Sequence, residues 1–453
     1  MTDTPGSTDK STKIGLGALA GGAVLSAAIF ATTSGGAPSA PAEAPAFDGA
    51  VRRVDYTNVC RHESGSTVPT GSAAEADDYY TNVAAELSLG DITSLDGVLG
   101  YLGFASLNAQ RLQDTDPAVL MASSPDALIS ARFFAPKITD VGPTNTPAKL
   151  VGWRKLVRLR TAAGSTAAAN GVDAAFILFN FFAPIKAANP FAGADSVNTQ
   201  VMLVTSRRDR SPIYWLDYDK TSGGALLSRK LDAFFDAGHS PDTAGKRSYF
   251  VPCGCIACHG GLSLDATVTP PAPGWEAERT LLNYLDTDHW TDRIKPGEDF
   301  ADLVAPVVFD NGGFDIIRQV NGEIHDQNVR VLPGSMQERA ASHWLALHAT
   351  SATHVDDLAA RALPRSDGGP PWNGKDADEM AALKRFNHYC FRCHGSVEFD
   401  VFDRATVASL RSPLLSRLEP RGALGDPRAT MPPDRDMIES DRLALRAFIT
   451  SLH

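Results

Sequence analysis

Two pentads of the form Cys-x-x-Cys-His, CIACH at 255–259 and CFRCH at 390–394, constrain this chain more than any other feature. With 6 Cys and 11 His in 453 residues, random placement gives such a pentad only about 0.002 times. Two copies therefore call for a chemical reason. Thiols three positions apart can reach the two vinyl groups on one porphyrin edge as thioethers, and the adjacent imidazole then lies under the ring with a nitrogen for the iron. On this reading Cys255, Cys258, Cys390 and Cys393 tether two c-type haems, and His259 and His394 are axial ligands. One rival is a zinc site built from the four cysteines, although zinc needs no His directly after each pair. The other is a thioredoxin-like dithiol.

Haem c is attached outside the bacterial cytoplasmic membrane, so the reading requires export. The N-terminus meets that requirement. Lys10 and Lys13 precede an uncharged run from Ile14 to Phe30, the pattern of a signal peptide or a weak membrane anchor, and Ala40-Pro41-Ala42 offers a small-x-small cleavage site. The expected location is periplasmic or otherwise extracytoplasmic. A formal charge of -11 argues against nucleic acid as a partner and suits a basic or neutral redox partner protein.

The chain divides by composition. Residues 1–48 combine the targeting segment with an Ala/Pro/Gly/Ser-rich linker. Residues 49–250 read as a mixed domain of unknown role. Helical patterns come first, and strand-like runs follow at Lys155 to Arg160, Ala174 to Phe182, Gln200 to Thr205 and Ile213 to Tyr218. The basic run Ser206 to Arg210 reads as an exposed turn, Trp215 as core and His239 as a loop residue. A first haem domain is expected over 251–362, with helices at EAERTLLNYLDTDHW and SMQERAASHWLALHA, and a linker follows from Leu363 to Asp376. The fold class expected is α+β: a mixed N-terminal domain and then two mainly α, cytochrome c-like haem domains.

Residues 375–453 run helix, pentad, loops with a short helix, Met431-Pro432, helix. The last helix has Ser440 and Asp441 as cap and first-turn residues, and Leu445, Phe448, Ile449 and Leu452 form its apolar face. On the pentad, the Met-Pro pair and the Leu445, Phe448, Ile449 pattern, this unit resembles the class I, mitochondrial-type cytochrome c family. The resemblance implies thioethers at Cys390 and Cys393, axial ligation by His394 and Met431, and contact of Phe386 and Phe448 between the first and last helices. A thioether sulfur is a soft ligand that favours reduced iron.

No Met-Pro pair follows the first pentad within the usual distance. Its sixth ligand is open among His289, His325, His343, His348 and Met336. An exported dihaem electron-transfer protein is the reading that follows. A dihaem peroxidase or oxygenase reacting at the first haem is the alternative, and a partner-binding module with haems as its electron outlet is another. Cys60 and Cys253 remain after the haem sites are filled, either as a disulfide or as two thiols.

Overall fold

A computed structural model of the chain describes residues 73–134, 150–183, 189, 191, 196–206, 211–221, 224–227, 250–252, 255, 281–285, 308–310, 312–331, 333–349, 372–390, 400–420 and 437–452. Among the described residues four helices come first: α1 (Ala73–Leu87), α2 (Leu95–Tyr101), α3 (Ala109–Asp114) and α4 (Pro117–Ser123). Side-chain oxygens of Ser94, Asn108 and Asp116 accept the first free amides of α2, α3 and α4, the usual chemistry that starts short helices.

The sheet that follows is a simple meander. Strands β1 (Leu128–Phe134), β2 (Leu150–Arg160), β3 (Val172–Ala183), β4 (Ser196–Thr205), β5 (Ile213–Thr221) and β6 (Gly224–Leu227) pair antiparallel in chain order. Between β2 and β3 lies the single-turn helix α5 (Thr166–Ala169). Register aligns Arg158, Phe176, Met202 and Trp215 on one face, and Val157, Ile177, Val201 and Leu216 on the other. All eight are buried. A sheet covered on both faces reads as continuous apolar runs such as AAFILFNFF, without the alternation of a half-solvated sheet.

The N-terminal helices cover the Val157 face. Lys155 donates to the carbonyls of Gln113, at 2.9 Å, and Thr115 at the end of α3. Tyr214 bonds Glu86 on α1, and Tyr218 bonds the carbonyl of Ile92.

The opposite face is covered by α6 (Gly313–Val331), against which α7 (Met336–Leu347) packs. Glu323 of α6 meets Arg158 of β2 at 2.9 Å and Arg160 at 3.4 Å. At the start of α6 the helix crowds β1, and a Cβ at Gly313 would collide with Val308, so glycine permits the approach. Two asparagines seven apart on α6 each grip one residue of 281–285 by both backbone groups: Asn321 holds Leu285 and Asn328 holds Leu282. The helix expected over EAERTLLNYLDTDHW is therefore corrected at 281–285, which carries no helical bonding and uses its amides on α6.

The expected fold class is corrected as well. In place of a mixed domain followed by two mainly α haem domains, the chain builds an antiparallel sheet packed with helices. Val251, Cys255, Leu282, Leu285, Ile317, Ile324 and Trp344 belong to the same core as the strands. The physical reason is that α6 and α7 bury one face against the sheet and its neighbours, so the first pentad's surroundings are not a self-contained helical unit. A second core cluster is formed by α8 (Ala377–Tyr389), α9 (Arg404–Ser409), α10 (Arg411–Arg417), α11 (Glu439–Ser451) and Trp372.

Two buried charges give tests. The Arg158–Glu323 pair is almost wholly removed from water; burial and then the neighbouring Arg160 draw Arg158 down to about 10 against the pull of Glu323, and burial pushes Glu323 up. Breaking such a pair from one side strands a charge. Arg158→Met should cost about 3–5 kcal/mol in chemical denaturation, and Arg158→Met/Glu323→Leu should recover most of it. On the other face, burial and then the nearby Arg132 draw Lys155 down to about 7 from 10.5. The folded state then sheds a proton that the unfolded chain keeps, so stability rises as pH climbs from about 7 toward 10.5. Denaturation at pH 7 and pH 10 should show wild type gaining on the order of 3 kcal/mol relative to Lys155→Met.

Candidate functional site

The first pentad begins inside the main core. Its leading residue, Cys255, is 8% exposed, and the chain arrives there through the buried, cis-linked Val251 and Pro252. Tyr80 of α1 and Asp217 of β5 interact with it electrostatically. Burial, and then the charge of Asp217, push the Cys255 thiol well above its usual range. Tyr80 is raised first by burial and then by Asp217, Cys255 and Tyr218. Cys253, Cys258, His259 and Cys60 lie outside the described residues.

What positions Asp217 is the edge of the sheet. Strand β6 pairs only with the outer half of β5. The inner half is capped by α1, with the Tyr79 hydroxyl accepting from the Trp215 amide at 2.7 Å and Tyr80 bonding the backbone of Asp217. Asp217 itself is fully buried. It accepts from Asn198 Nδ2 at 2.6 Å, and Asn198 Oδ1 accepts in turn from Asn180 Nδ2 at 3.0 Å. Three buried polar side chains on β3, β4 and β5 thus form one directed chain ending on a carboxylate. Asn180 Oδ1, at the far end, is buried without a hydrogen-bond partner.

At the second pentad, Cys390 directly follows α8, and its amide donates to Phe386 O at 2.8 Å. Cys393, His394 and Met431 lie outside the described residues; Met437 packs against the C-terminal core. The contact implied between the two helices is mediated by a residue that sequence reading assigned to a linker. Trp372 stacks on Phe448 (centroids 5.7 Å apart, 23° between planes), lies 6.1 Å from Phe386, and donates to Val401 O. Its length and aromaticity were the available signal. The expected cap of the last helix is corrected: the cap is Ile438, with no side-chain bond. Asp441 lies in the first turn as expected and also joins α11 to α8, accepting from Arg385 Nε at 3.0 Å and the Tyr389 hydroxyl at 2.7 Å.

The ligand candidates for the first haem separate by environment. His325 is partly exposed and faces Asp326 and Glu338. His343 is half-buried on α7. His348 is fully buried against the rings of Trp344, at 4.2 Å, and Phe314, at 5.3 Å. His289 and the side chain of Met336 lie outside the described residues. Among the described residues no group of three or more His, Cys, Asp and Glu stands together, and no helix is long and apolar enough to cross a membrane. The uncharged run from Ile14 to Phe30 also lies outside them.

A thioether sulfur carries no charge, so the burial of Cys255 in the core is compatible with thioether attachment at that residue. Compared with protein-family models, curated proteins and solved structures, the chain matches none of them.

Proposed function

We propose that this chain is an exported electron-transfer protein carrying two covalently attached c-type haems, one at each pentad. The observation that carries the reading is the doubled Cys-x-x-Cys-His sequence, with the burial of Cys255 in the main core in support. When bound, haem iron exchanges single electrons with a partner. The chain's own residues tether, ligate and bury it. Cys255 and Cys258 hold the first group and His259 binds its iron; Cys390 and Cys393 hold the second, between His394 and Met431. The sheet and α1 exclude water beside Cys255. Residues 10–30 direct the chain across the cytoplasmic membrane or anchor it there, and the acidic surface accepts a basic or neutral redox partner.

Haem content of the purified protein tests this directly. The alkaline pyridine spectrum of wild type should give two haem c per chain, and Cys258→Ser or Cys393→Ser should each give one. Zinc in place of haem would contradict the proposal. Electron paramagnetic resonance of the oxidised protein should then show two low-spin, six-coordinate centres. A high-spin first centre with peroxide turnover would assign the chain to the peroxidases instead.

A further inference from the structure

We infer that Asn373 is a self-modification site, at which the folded protein converts an asparagine into aspartyl and isoaspartyl residues without an enzyme. The inference stands apart from the haem assignment. The chain holds four Asn-Gly pairs, beginning at Asn170, Asn311, Asn321 and Asn373, and glycine, having no side chain, lets its amide nitrogen approach the preceding Cγ. Asn311 lies outside the described residues. The other three differ in how firmly the reacting groups are held. Asn321 is fully buried in the middle of α6, with both ends of its carboxamide bonded to Leu285. Asn170 is half-buried at the end of α5; its Nδ2 donates to Thr166 O at 2.9 Å, and the following Gly171 amide donates to Ala168 O at 3.0 Å. In both pairs the groups that must react are already committed.

Asn373-Gly374 is the exception. Both residues are exposed, in the turn that precedes α8. Asn373 Oδ1 accepts from the Lys375 amide at 3.1 Å, which folds the side chain back along the chain toward the intervening Gly374 amide and draws electron density from Cγ. That amide donates to no described residue. Two further bonds hold the turn: the Asn373 amide donates to Glu379 Oε2 at 2.7 Å, and the Asp376 amide donates to Asn373 O at 3.0 Å. Once Gly374 N loses its proton to hydroxide it bonds to Cγ, the Cγ–Nδ2 bond breaks, and ammonia leaves with a proton taken from water. A succinimide ring remains. Water then opens it at Cγ to give an aspartyl residue, or at the backbone carbonyl carbon to give an isoaspartyl residue whose chain runs through Cβ and Cγ. Either product adds a carboxylate to a turn that already carries Asp376 and Glu379. The isoaspartyl form also lengthens the chain next to Trp372, the ring that meets Phe386 of α8 and Phe448 of α11.

Peptide mapping by mass spectrometry, on the full-length protein kept folded in neutral and in mildly alkaline buffer, tests this. The peptide ending at Lys375 should gain the mass of an amide-to-acid exchange and an isoaspartyl fraction, faster at the higher pH because the nucleophile is the deprotonated amide. Asn170 and Asn321 should react roughly tenfold or more slowly, since each must first give up bonds worth about 1 kcal/mol apiece. Gly374→Ala, which sets a methyl group beside the attacking nitrogen, should slow the loss at Asn373 and leave the other sites unchanged. An amide that persists at Asn373 in the folded protein while the denatured chain loses it there would overturn the inference. Equal rates at Asn373 and Asn321 in the folded protein would overturn it too.

Discussion

A sheet covered on both faces leaves its charged residues no water to turn to, and that constraint organises the rest of the molecule. Arg158, Lys155 and Asp217 all rise from strands whose neighbours are apolar, and each needs a partner brought to it from another element. Arg158 has Glu323 on α6, Lys155 has the end of α3, and Asp217 has Asn198 on the next strand. The first two matches fix which helix lies on which face. A buried ion pair adds little net stability over an apolar pair, so their contribution is to specify the arrangement.

The same principle explains what was legible in the sequence. The four apolar runs at 155–218 coincide with β2 to β5 because burial on both faces removes polar residues from strands. Trp215 could be read as core for the same reason. Helix α6 was not legible, since the side it buries includes Asn321, Glu323, Gln327 and Asn328, and polar residues there dilute the 3.6-residue apolar period. The run LLNYL reads as helix by composition alone. It is held instead by Asn321 and Asn328, more than thirty residues away, and no local pattern announces such a partner.

For the site, sulfur and imidazole ligands are proposed from the spacing of the pentads alone, and the setting of Cys255 was not legible. That Cys255 would lie in the core of the sheet, beside Asp217 and Tyr80, depends on pairing β5 with β4 and on α1 capping the edge of β5. The contacts of α1 with β5 span more than a hundred residues of sequence. The polar row Asn180, Asn198 and Asp217 is scattered over three strands and becomes a row only in register.

The haem proposed at the first pentad would be attached at a residue of the main core. Mass spectrometry of the intact, acid-denatured protein made in a host that matures c-type haem tests this most directly, because only covalent groups survive. The mass should equal the polypeptide plus two haems, with both assigned to the peptides containing Cys255 and Cys390. A mass equal to the bare polypeptide, with all the cysteines of both pentads alkylated as thiols, would contradict it.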